Sequence, residues 1–161
     1  MKNPYLRKAK MQDVRFIHRI LLYHSRQNLL LPRSNSELYN HLRDFFVIVS
    51  DDCEDVLGCG ALSIVWEGLA EIRSLVLSEE LRYRGFGRKL VDACLSEAVT
   101  LGIFKVFTLT YQDDFFARLG FTRINKDILP QKIWADCLRC PKYPDYCDEI
   151  AMIMDMESGQ N

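Results

Sequence analysis

Between residues 82 and 89 the chain reads Arg-Tyr-Arg-Gly-Phe-Gly-Arg-Lys, four basic side chains around two glycines. A strand-like run, Leu69 to Ser78, precedes it. After it, Leu90, Val91, Cys94, Leu95 and Ala98 recur at helical spacing. A loop that opens a helix presents unpaired amides carrying partial positive charge, which makes an anion site. Gly85 and Gly87 remove side chains that would hold a phosphate off the backbone, and Arg82, Arg84, Arg88 and Lys89 add charge. The spacing is neither the Gly-x4-Gly-Lys-Ser/Thr of a P-loop nor the longer Gly-x-Gly-x-x-Gly of dinucleotide folds. Two readings stand for the segment: a cradle for a diphosphate, or a tight strand-to-helix turn with solvated basic residues.

A second cluster lies near the C-terminus, where Cys137, Cys140 and Cys147 fall among Asp136, Asp145 and Asp148. Cys-x2-Cys is half of a common zinc site, and Cys147 offers a third ligand, but a fourth is missing unless Asp148, a histidine or a second subunit supplies it. Close cysteines also suit redox chemistry, or simply a reduced loop. No metal requirement is expected. His18, His24 and His41 lie on or beside the first two helices in no ligand spacing. Cys59 and Cys94 sit inside apolar patterns and read as small core residues, whereas Cys53 lies in an acidic turn.

A length of 161 residues suits one domain with one core, and 48% hydrophobic with 27% charged residues suits a globular chain. The formal net charge of −1 gives no basic field, so neither nucleic acid nor an anionic membrane surface is an expected partner. No apolar run approaches the roughly 20 residues of a membrane helix. Met1 to Lys8 has no signal-like apolar stretch, so a cytoplasmic location with reduced cysteines is expected.

The elements that must position these residues follow from periodicity. Tyr5 to Ala9 reads as a strand, and Val14, Ile17, Ile20 and Leu21 as the buried face of a helix. Ser34-Asn35-Ser36-Glu37 has the form of a capping box, with Leu38, Leu42 and Phe45 carrying a second helix into the core. Strands are expected over Phe45 to Ser50 and Val56 to Trp66, joined by a turn at Asp51 to Asp55, and then over Leu69 to Ser78. A helix opens at Arg84 and stops at Gly102. A strand from Phe104 to Leu109, a short helix from Asp113 to Arg118 and a strand from Phe121 to Ile124 follow. Residues 125–148 read as an irregular insertion with a short helix from Pro130, Glu149 to Met156 as the last strand, and 157–161 as a polar tail. Hairpins first and strand–helix alternation later predict an α+β domain over 1–156, a mixed and mostly antiparallel sheet of six to seven strands flanked by helices.

Arg82-x-x-Gly85-x-Gly87 after Glu71 to Leu77 resembles the coenzyme-binding motif of the GNAT N-acetyltransferases, and Phe116-x-x-Leu119-Gly120-Phe121 resembles a later family motif, Tyr-x-x-Leu-Gly-Phe. Leu29 to Ser34, Val56 to Leu62, Glu71 to Ser74 and Phe107 to Thr110 are similar to stretches of N-acetylglutamate synthases, above all the short single-domain bacterial form. The resemblance implies acetyl-CoA as co-substrate and an amine acceptor, L-glutamate in the arginine pathway being the favoured one. It implies that Arg82, Tyr83, Arg84, Gly85, Phe86, Gly87 and Arg88 hold the diphosphate. It also implies that Leu75, Val76 and Leu77 meet the pantetheine arm, with the Val76 amide as oxyanion donor. Acyl transfer needs a base for the ammonium group, a donor for the tetrahedral oxyanion and a proton for the leaving thiolate. Glu71 is the implied base, against the alternative of a solvent-facing glutamate or one paired with Arg73.

Arg33, Ser34, Arg73 and Gln112 are the expected acceptor ligands, since guanidinium groups grip carboxylates through paired hydrogen bonds. The alternative for Arg33 is an exposed loop charge. Phe116 stands where the family often has a proton-donating tyrosine, which leaves Tyr111 as the substitute. A homodimer is possible by analogy with relatives. Three rival functions remain: another small amine or a protein N-terminus as acceptor, a non-catalytic acetyl-CoA-binding module, and a metal-dependent interaction element at the cysteines.

Overall fold

The structure, a computed structural model, describes residues 3–26, 33–130 and 149–157. In chain order it runs β1 (Tyr5–Lys8), a 3-10 turn (Met11–Asp13), α1 (Val14–Arg26), α2 (Asn35–Asn40), a 3-10 turn (Leu42–Asp44), β2 (Phe45–Ser50) and β3 (Cys53–Trp66). Then come β4 (Leu69–Leu77), a 3-10 turn (Glu79–Leu81), α3 (Phe86–Thr100), β5 (Lys105–Thr110), α4 (Asp113–Arg118), β6 (Thr122–Arg123), a 3-10 turn (Lys126–Ile128) and β7 (Ile150–Asp155). The seven strands hydrogen-bond in the order β1-β2-β3-β4-β5-β7-β6. β4 and β5 pair in parallel, which the intervening α3 makes possible, while β1/β2, β2/β3, β5/β7 and β6/β7 are antiparallel. The α+β class and the mixed, mostly antiparallel sheet agree with the sequence.

The residues form two compact units, Met1–Leu62 with Ile72–Glu97 and Ser63–Glu71 with Ala98–Asn161. In the first, Val14, Ile17 and Leu21 of α1 and Leu38 of α2 pack with Phe45, Val47 and Val49 of β2 and Val56, Cys59, Ala61 and Val76. In the second, Phe107, Leu129 and Ala151 form the centre of a smaller cluster with Val65, Leu69, Leu109, Ile124 and Ile153 around it. Burial pushes the Cys59 thiol well up and the Cys94 thiol up to about 12, so both are protonated packing residues.

Local differences from the expected elements have physical causes. The second helix stops at Asn40, because Phe45 pairs with Ala61 in the β2–β3 ladder and cannot also extend a helix. The acidic turn shrinks to two residues, since Ser50 already faces Cys53 across the hairpin. Lys126–Ile128 forms a 3-10 turn, while the short helix expected from Pro130 runs into residues outside those described. Cys137, Cys140 and Cys147 lie outside the described residues. Helix ends behave as expected: Gly102, at φ +78, closes α3 with Gly102 N–H to Val99 O and Ile103 N–H to Ala98 O, a Schellman pattern. Gly120 ends α4 in the same way, with Phe121 meeting Phe116 edge-on at 5.1 Å.

One ion pair ties β1 to the entry of α1. Arg7 donates to both carboxylate oxygens of the buried Asp13 at 2.7 and 3.0 Å, and the Lys10 amide donates at 2.7 Å. Burial alone would push the Asp13 carboxyl up, but Arg7 and the Lys10 amide together hold it below its ordinary 3.8. A carboxyl depressed in the folded state contributes stability above its unfolded value and loses it as pH falls through the folded one. Asp13→Asn is therefore expected to cost about 3 kcal/mol at neutral pH. It should also shrink the drop in Tm between about pH 6 and about pH 3. Thermal melts of the two proteins at both pH values check this.

Candidate functional site

The first unit contains the glycine loop. Leu81, fully buried, anchors the 3-10 turn, and the chain then emerges with Arg82, Tyr83, Arg84 and Gly85 all exposed. Gly85 takes φ +81, a left-handed conformation that favours glycine, and a Cβ there would meet nothing within 4 Å. α3 begins at the next residue, and its first turn contains no acidic side chain. Lys89 N–H closes the first helical bond to Gly85 O at 3.2 Å. The amides of Phe86, Gly87 and Arg88 thus precede the first bonded donor of the helix and have no acceptor within it. Phe86 is buried, with the Arg84 and Lys89 cations 5.5 and 4.7 Å from its ring centre. Gly87 is buried rather than exposed, so the clearance expected at both glycines belongs to Gly85. Helix-start donors, open space at Gly85 and a cationic rim fit an anionic diphosphate.

The strand leading into this loop is shaped by two glycines on β3. A Cβ on Gly58 would lie 2.8 Å from Leu77 Cδ2 and 3.1 Å from Val76 O, and one on Gly60 would lie 3.0 Å from Leu75 Cδ1. Glycines two apart in a strand signal a close backbone approach, and here that approach seats Leu75, Val76 and Leu77. Gly58→Ala is expected to cost about 1–3 kcal/mol through overpacking. Adding Leu77→Val should recover part of the loss in denaturant unfolding, because the nearest atom is the tip of a flexible side chain.

Ser74 is buried at φ +56, and its carbonyl accepts from Cys59 Sγ at 3.4 Å. Tyr83 has φ +63. Non-glycine residues pay about 1–2 kcal/mol for that conformation, and nothing in the sequence marks either position.

Three expected acceptor ligands belong to the same unit. Ser34 caps α2, its Oγ accepting from Glu37 N–H at 3.1 Å, which leaves its own hydroxyl hydrogen to donate elsewhere. Arg33 is not an exposed loop charge: its side chain is 10% exposed, with Nη1 3.6 Å from Glu37 Oε2. Arg73 on β4 is half-buried and acts electrostatically on Asp44. Burial pushes the Asp44 carboxyl up, opposed by His41, Arg73 and Lys8. Asp44 carried no signal in the sequence.

The second unit contains the remaining candidates. Glu71 is 9% exposed and forms the last of three rungs that β4 shares with β5, opposite Phe107. The solvent-facing alternative for Glu71 is thereby removed. Tyr111 is half-buried just after β5. Gln112 is exposed at the N-cap of α4, makes no side-chain cap, and its amide donates to Thr110 Oγ1 at 2.8 Å. Phe116 is 2% exposed, with Phe115 and Phe121 edge-on at 5.1 Å each, so this ring fills core space. Among the described residues no group of three or more His, Cys, Asp or Glu is placed to hold a metal, and no helix is long and apolar enough to cross a membrane.

Residues 12–121 match the sequence profile of the Acetyltransferase (GNAT) family. The chain is 42% identical to an N-acetyltransferase of Chlorobaculum tepidum described as uncharacterized, over 92% of this chain and 94% of that one. It is 32% identical to the amino-acid acetyltransferase of Mycobacterium tuberculosis, over 84% of this chain and 78% of that one. Among solved structures, N-acetylglutamate synthase from Neisseria gonorrhoeae complexed with coenzyme A and N-acetyl-glutamate matches with a TM-score of 0.84 at 25% identity, over 97% of this chain but 36% of that one. With the family profile spanning most of its length and relatives of this kind at both the sequence and the fold level, the chain belongs to the GNAT family of acetyltransferases.

Proposed function

We propose that residues 1–156 form one catalytic domain that transfers acetyl from acetyl-CoA to the α-amino group of L-glutamate, as in the first step of arginine biosynthesis. The observation that carries the choice of acceptor is the burial of the Arg33 side chain beside the α2 cap. A cation withdrawn from water needs partners of opposite charge, and a substrate carboxylate would add to the Glu37 contact. The names of the amino-acid acetyltransferase relatives and the N-acetyl-glutamate held by the Neisseria structure support the same acceptor.

In this reading the amides at the start of α3 and the open face of Gly85 hold the diphosphate, with Arg82, Arg84 and Arg88 adding charge. Leu75, Val76 and Leu77 line the pantetheine arm, and the Val76 amide donates to the carbonyl oxygen as charge builds on it. Acetyl-CoA, when bound, supplies the acetyl group as an activated thioester. Glu71 takes the proton from the acceptor ammonium, directly or through a water molecule, and Tyr111 returns one to the departing sulfur. Arg33 and Arg73 grip the two carboxylates of glutamate, with Ser34 and Gln112 completing their hydrogen bonds.

Thiol release from acetyl-CoA, measured in parallel with glutamate and glutamine, tests the assignment. Glutamate is expected to saturate at the lower concentration and with the higher kcat/KM. Saturation by another amine with glutamate inert would overturn it.

The buried Phe116, in place of the family tyrosine, favours one second reading, an acetyl-CoA-binding module without turnover. That reading predicts coenzyme binding with no thiol release for any acceptor.

A further inference from the structure

We infer that the ring of Tyr83 is the platform on which the adenine of coenzyme A stacks, an inference that rests on the acetyl-CoA reading above. Tyr83 is fully exposed, at 104%, the largest exposure among the exposed large hydrophobic side chains of the described residues. Its backbone is left-handed, φ +63, where glycine or asparagine would sit at lower cost. Among the described residues its ring has no hydrogen bond, ion pair or ring contact. The neighbouring Arg84 guanidinium lies over Phe86 instead, 5.5 Å from the ring centre. A strained backbone that delivers a tyrosine into water gains nothing from packing within the chain, so the gain must come from something outside it.

The position of Tyr83 says what that is. Tyr83 lies three residues before Phe86, whose amide opens α3, so the two Cα atoms are at most about 11 Å apart. A diphosphate on those amides carries its nucleoside toward the loop. A purine offers two flat faces and needs an aromatic partner rather than a specific hydrogen-bond pattern. Arg82 and Arg84 flank the tyrosine and are exposed, which suits the phosphates on either side of such a nucleoside.

Calorimetric titration of the full chain with coenzyme A, and with 4′-phosphopantetheine as a probe that keeps the arm but lacks the nucleotide, tests this. Tyr83→Ala is expected to weaken coenzyme A binding roughly tenfold and to leave 4′-phosphopantetheine unchanged, while Tyr83→Trp retains the wild-type affinity. Tyr83→Gly relieves the backbone, so it should raise Tm while losing the same coenzyme affinity as the alanine variant, which separates ring from backbone. Wild-type affinity for coenzyme A in both variants would overturn the inference. Equal weakening of both probes, the mark of a disturbed loop, would overturn it too. Failure of the wild-type protein to bind coenzyme A at all would instead remove the acetyl-CoA reading on which this one rests.

Discussion

Glu71→Gln is expected to lower kcat for glutamate acetylation by roughly 10²–10⁴ with little change in KM. The two side chains have the same shape and each retains an acceptor oxygen, so the last rung of the β4–β5 ladder and the buried surroundings of Glu71 are preserved. Only the capacity to take a proton is lost. A buried base removes the ammonium proton at the point where attack on the thioester requires a free lone pair, and bulk hydroxide at neutral pH is a poor substitute. Single-turnover rates and a pH–rate profile check this. The variant should respond more steeply to rising pH than the wild type, because free amine must then come from solution. Retention of most of the wild-type kcat in a folded Glu71→Gln protein would place the base elsewhere.

Arg33→Ala is expected to raise KM for glutamate about 10- to 100-fold, the cost of removing a charge-assisted hydrogen bond to a carboxylate, with kcat nearly unchanged. The loss should be smaller for glutamine, so the preference between the two acceptors narrows. The competing role for Arg33 is structural, through its 3.6 Å contact with Glu37. Glu37→Ala discriminates between the two: it removes that contact while leaving the arginine, and should leave KM for glutamate at or below the wild-type value. A parallel rise in KM for Glu37→Ala would show that the ion pair, rather than a bond to substrate, is what Arg33 provides. Arg33→Lys is expected to recover only part of the loss, because an ammonium cannot offer the paired donors of a guanidinium.

Both variants concern residues whose types were readable in the sequence but whose surroundings were not. Glutamate on a strand and arginine in a loop are exposed more often than not, and composition alone leaves both alternatives open. Glu71 is buried because β5, more than thirty residues on, pairs with β4 at that rung. Arg33 is buried because α2 and its cap fold back beside it. The same holds at Phe116. Its place in the chain suggested a lost catalytic group, and the structure adds that the ring is buried and edge-on to Phe115 and Phe121.

The sequence by itself determined whatever depends on neighbours a few residues away. The Ser34 cap, the buried stripe of α1, the glycine stops at Gly102 and Gly120 and the left-handed turn at Gly85 are settled by local hydrogen bonds and φ limits, and these are written into adjacent positions. The tertiary structure decided where local preference was indifferent or was overruled. Leu38, Leu42 and Phe45 have helical spacing, yet the helix yields to β2 because the ladder with β3 offers Phe45 both its hydrogen bonds and a buried place. Burial of Glu71 is likewise set by a distant segment, β5, which pairs with β4 at that rung. Burial is a property of what packs against a side chain, and those partners lie far off along the chain.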